Sequence, residues 1–187
     1  MGVRYFGAEV QRGEDQALIT GQGQYVDDIR LPGTLHGAFL RSPHAHATIK
    51  SIDKSAAEKI SGVEAVFTYA DLEEPVNQRQ VQPYPNPNIL QDIRPYPLAK
   101  DEVCFVGEAV AFVVADTRHI AEDALETINV EYEILEPIVH LREASSEAAP
   151  IAHKGSPNNL VAQLKLSYGE VDKAFKDADH VLKTDFL

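Results

Sequence analysis

A chain of 187 residues, 44% of them hydrophobic, is long enough to bury a real core and fits one domain, or one domain plus a fragment. Its net charge of −12 is spread along the sequence, so no basic face is on offer to nucleic acid or to an anionic membrane surface. A single cysteine, Cys104, excludes an internal disulfide framework and a cysteine-rich metal site.

Met1-Gly2-Val3-Arg4-Tyr5-Phe6 has no apolar signal core, and Phe6 stands where a myristoylation motif requires Ser or Thr. The longest apolar run is too short to span a bilayer and contains Glu108, so a cytoplasmic protein is expected. Residues 1–34 are rich in turn-formers and charge and are expected to lie as an extended arm across something larger. Gly21 and Gly23 make only a Gly-x-Gly, without the third glycine, preceding strand and following helix of a phosphate loop, and read as a turn.

From Leu35 the pattern becomes regular. Leu35–Ser42 and Ala45–Ile49 read as one strand interrupted at Ser42-Pro43, because proline removes a ladder donor. Asp53 is placed to cap a short helix through Ile60, with Ala56, Ala57 and Ile60 inward and Gly62 as the left-handed residue that ends it. Val63–Thr68 is the next strand, completing a β-α-β unit.

Residues 71–100 hold Pro75, Pro83, Pro85, Pro87, Pro95 and Pro97, with Tyr84 and Tyr96 among them. Such a long aperiodic connection is a functional loop, a docking arm or a disordered segment, and proline with tyrosine favours a polyproline-type arm. Val103–Asp116 is a nearly continuous apolar run, the pattern of a strand buried on both faces. Asp116 and Thr117 then offer helix caps, and Ile120, Ala121, Ala124, Leu125 and Ile128 recur at helical spacing while Arg118, Glu122, Asp123 and Glu126 face water. Val130, Tyr132 and Ile134 alternate with Glu131 and Glu133, as in a strand with one wet face.

The pattern predicts an α/β (α+β) domain over residues 35–142, made of two β-α-β units around one mixed sheet. Residues 143–159 have linker composition. In residues 160–187, the start of a further domain, a strand over Asn159–Lys165, a helix from Gly169 and a strand from Val181 are expected.

Candidate chemistry is sparse. His44 and His46 would lie on one face of an extended strand, a possible pair of metal ligands, with His36 or Asp27-Asp28 as third. The plainer alternative is a pair of surface or interface histidines at a proline bend. Cys104, inside the buried strand, reads as an inert small hydrophobe rather than a nucleophile. Ser42 has His44 nearby but no nucleophile elbow around it. Gly107-Glu108 reads as a bulge, with Glu108 a possible general base.

Arg12-x-Glu14-Asp15, Thr20-Gly21-x-Gly23-x-Tyr25-x-Asp27-Asp28-Ile29-x-Leu31-Pro32-Gly33-x-Leu35-His36 and Arg41-Ser42-Pro43-His44-Ala45-His46-Ala47-x-Ile49 closely resemble the start of the large subunit of molybdenum hydroxylases. These are the xanthine dehydrogenase, aldehyde oxidase and aerobic carbon monoxide dehydrogenase family. Phe105-Val106-Gly107-Glu108-x-Val110-Ala111-x-Val113-Val114-Ala115-Asp116-Thr117 is similar to its second signature. Tyr168-Gly169-Glu170-Val171-Asp172-x-Ala174-Phe175 is similar to the entry into its molybdopterin-binding region.

The resemblance implies an α/β hammerhead domain followed by the first strands of an incomplete molybdopterin-binding domain. It also implies a heteromeric complex, dimerised, in which the rest of the molybdopterin subunit meets an iron–sulfur subunit and an FAD subunit. The family reaction hydroxylates or oxidises an aldehyde, an N-heterocycle or carbon monoxide with water-derived oxygen, and electrons pass from molybdenum through [2Fe–2S] clusters to FAD. The family's pterin loops, substrate pocket and glutamate base belong to later parts of a much longer subunit. No catalytic, cofactor-binding or metal residue is therefore implied in this chain, which is expected to be inactive alone and to bind no cofactor by itself. A free-standing hammerhead scaffold without activity is the alternative.

Overall fold

Runs of β-branched and small apolar residues give six strands among the described residues: β1 (His36–Arg41), β2 (Ala47–Asp53), β3 (Val63–Thr68), β4 (Glu102–Val103), β5 (Ala109–Ala115) and β6 (Asn129–Ile134). The structure, a computed structural model, describes residues 10–81, 86–184 and 186. The N-terminal Met1-to-Phe6 stretch, Pro83-Tyr84-Pro85 in the proline-rich loop, and Asp185 and Leu187 at the expected last strand lie outside the described residues.

The strands form two three-stranded sheets, ordered β1-β5-β3 and β4-β2-β6, and every pairing is antiparallel. The α/β class holds, but two antiparallel sheets replace the single mixed sheet expected from the sequence. The reason lies in two chain breaks that local periodicity does not resolve. Val103–Asp116 is not one strand: Val103 ends β4 in one sheet, Ala109 opens β5 in the other, and Gly107 turns the corner at φ 92°. Leu35–Ile49 divides in the same way at Ser42-Pro43, which sends β1 and β2 into different sheets. The two corners hold each other, since Ser42 N–H donates to the Glu108 carbonyl at 2.9 Å and Gly107 N–H to the Ser42 carbonyl at 2.8 Å.

Before β6 the α-helices among the described residues are α1 (Asp15–Ile19), within the arm, and α2 (Arg118–Leu125). The expected stripe is the buried one: in α2 Ala121 and Ala124 are fully enclosed while Ile120 and Leu125 pack against the same core, and Ile128, three residues past the helix end, is nearly enclosed. The Thr117 hydroxyl caps α2 by accepting the Ile120 N–H at 3.2 Å. Small residues on this face let the helix lie close over β1, β5 and β3, with Val66, Ala111, Val113 and Ala115 beneath it. A second core of Ala47, Ala99, Val103 and Val110 fills the other sheet, and Ile52 and Val130 touch both.

The helix expected over 53–60 shrinks to a 3-10 turn, Ala57–Lys59, in which Ala57 is buried but Ala56 is exposed. Gly62 ends it at φ 88° as the spacing indicated, and a Cβ there would lie 2.8 Å from Ile120 Cδ1. In β6, Val130 and Tyr132 are half-buried while Ile134 is exposed, so the alternation stops one position early.

The arm carries a bidentate contact to the core domain, from the Arg118 guanidinium to both Asp27 carboxylate oxygens at 3.0 Å. The proline-rich loop is packed where it is described: Tyr69 and Tyr96 meet edge-to-face at 5.1 Å, and the Arg79 guanidinium sits 4.6 Å over Tyr96. Further on come α3 (Leu141–Ala144) and α4 (Val171–Asp177). The strand expected over 159–165 is only a bridge, Ile89 to Ala162, and residues 181–184 and 186 form no strand. No helix among the described residues is long and apolar enough to cross a membrane.

Candidate functional site

The densest gathering of reactive side chains forms where β2 meets β4. Ala47 pairs with Val103 and Thr48 with Glu102, and the same register carried one step further sets His46 beside Cys104. His46 is 7% exposed. Its Nδ1 lies 3.2 Å from the Glu136 carbonyl oxygen. A carbonyl only accepts, so Nδ1 carries a proton, and in the neutral ring Nε2 is the atom with the lone pair. That Nε2 is buried and has no hydrogen-bond partner among the described residues; the nearest charge is Glu102 Oε2 at 3.8 Å.

Glu102 is itself held in place, its two carboxylate oxygens accepting the Lys154 N–H at 3.0 and 2.9 Å. Cys104 Sγ lies 3.3 Å from His153 Nδ1, and Cys104 N–H donates to Glu108 Oε2 at 2.6 Å. Burial pushes the Cys104 thiol up to about 12, and the carboxylates of Glu102 and Glu108 push in the same direction. Burial also raises Glu108, against the opposing pull of the Cys104 N–H. The ligand atoms of His46, Glu102 and Cys104 all lie within 4.8 Å of one another. Glu102, Cys104, Glu108 and His153 line an open cleft of about 700 Å³ between the proline-rich loop and residues 153–157.

The possible His44–His46 ligand pair does not assemble. His44 and His46 lie in a bend rather than an extended strand, and the His44 ring packs edge-on against Tyr132 at 4.9 Å while His46 turns inward. His36 stands in the other sheet, and Asp27 is engaged by Arg118. Ser42 is buried with its hydroxyl closing a local turn on the His44 backbone at 3.0 Å, which leaves it no role as a nucleophile. Gly21, at φ 71°, is a turn residue just beyond α1. Cys104 sits at the corner between β4 and β5, not inside a strand.

Sequence reasoning missed Glu102 and His153. Glu102-x-Cys104 spacing was a usable signal, since alternate residues of a strand share a face. His153 gave none, because only the packing of residues 153–157 against the cleft brings it in.

Two antiparallel sheets with one helix crossing between β5 and β6 define only a fold. The comparisons define the family. The aldehyde oxidase and xanthine dehydrogenase a/b hammerhead domain matches residues 20–136, and this chain belongs to that family. It is 42% identical over 176 residues to the nicotine 6-hydroxylase large subunit of Paenarthrobacter nicotinovorans, covering 94% of this chain and 21% of that protein. It is 44% identical over 145 residues to the carbon monoxide dehydrogenase large chain of Afipia carboxidovorans, covering 78% of this chain and 17% of that one. The crystal structure of quinoline 2-oxidoreductase from Pseudomonas putida 86 matches with a TM-score of 0.76 at 38% identity, over 92% of this chain and 22% of that chain. The chain thus spans about a fifth of the length of these relatives.

The positive-φ glycines of the described residues, from Gly21 to Gly169, stand singly in separate turns and build no glycine-rich phosphate loop of the kind a molybdopterin would use.

Proposed function

We propose that this chain is the hammerhead-bearing part of a molybdenum hydroxylase large subunit, contributing assembly and enclosure rather than catalytic side chains. The reaction of the whole enzyme is hydroxylation or oxidation of an aldehyde, an N-heterocycle or carbon monoxide with water-derived oxygen. Bound elsewhere in the subunit, molybdopterin supplies the two-electron oxidation; iron–sulfur and FAD subunits carry the electrons away. The complex is a cytoplasmic dimer of heteromers. The observation that carries this reading is the 42% identity to a large subunit over 94% of the chain.

The surface supports it. Leu166, Tyr168, Leu182 and Phe186 are each at least 86% exposed, a run of large apolar groups that a neighbouring domain would cover. Co-expression with the reading frames beside its gene tests the proposal. The chain should elute with a longer pterin-binding polypeptide, molybdenum, iron and flavin. Elution alone and metal-free from the native source would assign it to a scaffold role.

A further inference from the structure

We propose that His46, Glu102 and Cys104 are the protein ligands of a zinc site at the junction of β2 and β4, with its open position facing the cleft beside His153. The inference is independent of the assembly proposed above. Three features carry it. First, the three side chains bring a nitrogen, an oxygen and a sulfur donor within 4.8 Å of one another, the mixed set that suits a borderline divalent ion.

Second, the imidazole is already in the metal-binding tautomer. Nδ1 donates to the Glu136 carbonyl at 3.2 Å, which fixes the ring and leaves the Nε2 lone pair aimed toward Glu102 and Cys104. That atom is buried with no partner among the described residues, and an orphaned acceptor in a folded core calls for a ligand. A simple ion pair with Glu102 does not answer it, because 3.8 Å is beyond hydrogen-bond reach.

Third, the second layer is built. Glu102 is oriented by the Lys154 N–H at 2.9 and 3.0 Å, and the cleft gives an ion a way in. Zinc bonds of about 2.0–2.3 Å place neighbouring donors closer than the widest separation here, so binding draws the three together by roughly 1 Å, a side-chain movement. The Cys104 proton leaves to solvent as the zinc–sulfur bond forms: the thiol and Zn²⁺ give the zinc thiolate and H⁺.

Cobalt titration of the metal-free full chain tests the site. One equivalent of Co²⁺ should produce a thiolate-to-cobalt charge-transfer band, and one equivalent of Zn²⁺ should bleach it. Cys104→Ser should abolish the band, and His46→Gln and Glu102→Gln should each weaken cobalt binding about tenfold or more. X-ray absorption at the zinc edge of the unsubstituted chain reads the same question without a variant, and should show one sulfur among nitrogen and oxygen donors. Absence of the band, its survival in Cys104→Ser, or a sulfur-free zinc shell would overturn the proposal and leave adventitious binding only.

Discussion

Asp71 closes the turn that follows β3: its Oδ2 accepts both the N–H and the hydroxyl of Thr68 at 2.7 Å, while Oδ1 takes the Lys54 ammonium at 2.8 Å. Lys54 also donates to the Val66 carbonyl at 2.8 Å and pairs with Glu58 at 3.1 Å, so two side chains fasten the 57–59 turn, β3 and the start of the proline-rich loop together. Partial burial pulls Asp71 upward, but Lys54 and Thr68 outweigh it and hold the carboxyl below its usual value of 3.8. A depressed carboxyl stabilises the fold above its unfolded pKa and loses that contribution as pH falls through the folded one. Asp71→Asn should therefore lower stability at neutral pH, and the gap to the unsubstituted chain should close as pH drops below 3.8; denaturant midpoints across that range read it. A gap that persisted undiminished into acid would show that the contribution is not electrostatic.

Elements differ in how far they can be read locally. The period of α2 and the hydroxyl at its start are contained in a dozen consecutive residues, so its inward stripe and its cap follow from the sequence alone. The strands do not share this property. Whether an apolar run is one strand or two depends on which sheet each half joins, and the Ser42 and Glu108 corners that decide it are tied across the fold by hydrogen bonds at 2.9 and 2.8 Å. The same long-range pairing explains the site. His46 and Cys104 were each visible as candidates, yet only the β2–β4 register brings them together, and Glu102 enters with them.

The proline-rich loop shows the consequence at a smaller scale. It pairs through Leu90 N–H to the Val161 carbonyl at 2.8 Å and Gln163 N–H to the Asn88 carbonyl at 2.9 Å. Gln91 Nε2 adds contacts to Asn158 Oδ1 at 2.9 Å and the Leu160 carbonyl at 2.7 Å. Gln91→Ala should release residues 158–163 without unfolding the sheets, at a cost of about 1 kcal/mol for the lost hydrogen bonds. Proteolysis should then speed up within that segment while the global unfolding midpoint moves by no more than a few degrees.

In the whole molecule, two small sheets share a core through Ile52 and Val130, with α2 across one of them. Among the described residues every fully enclosed side chain lies between residues 47 and 124. Beyond residue 163 almost every described side chain is exposed, including Leu166, Tyr168, Phe175 and Leu182. The enclosed core thus belongs to the hammerhead residues, whereas the described residues beyond 163 enclose no side chain of their own; on the proposed reading a neighbouring domain covers them.

Hydrogen exchange, measured on the chain alone and on the chain within its co-purified complex, tests this division most directly. Amides of β1, β2, β3 and β5 should exchange slowly in both, and residues 164–184 should exchange rapidly in the free chain and slowly in the complex. Slow exchange of 164–184 in the free chain, or rapid exchange there within an intact complex, would contradict the placement of this chain as the hammerhead part of a larger subunit.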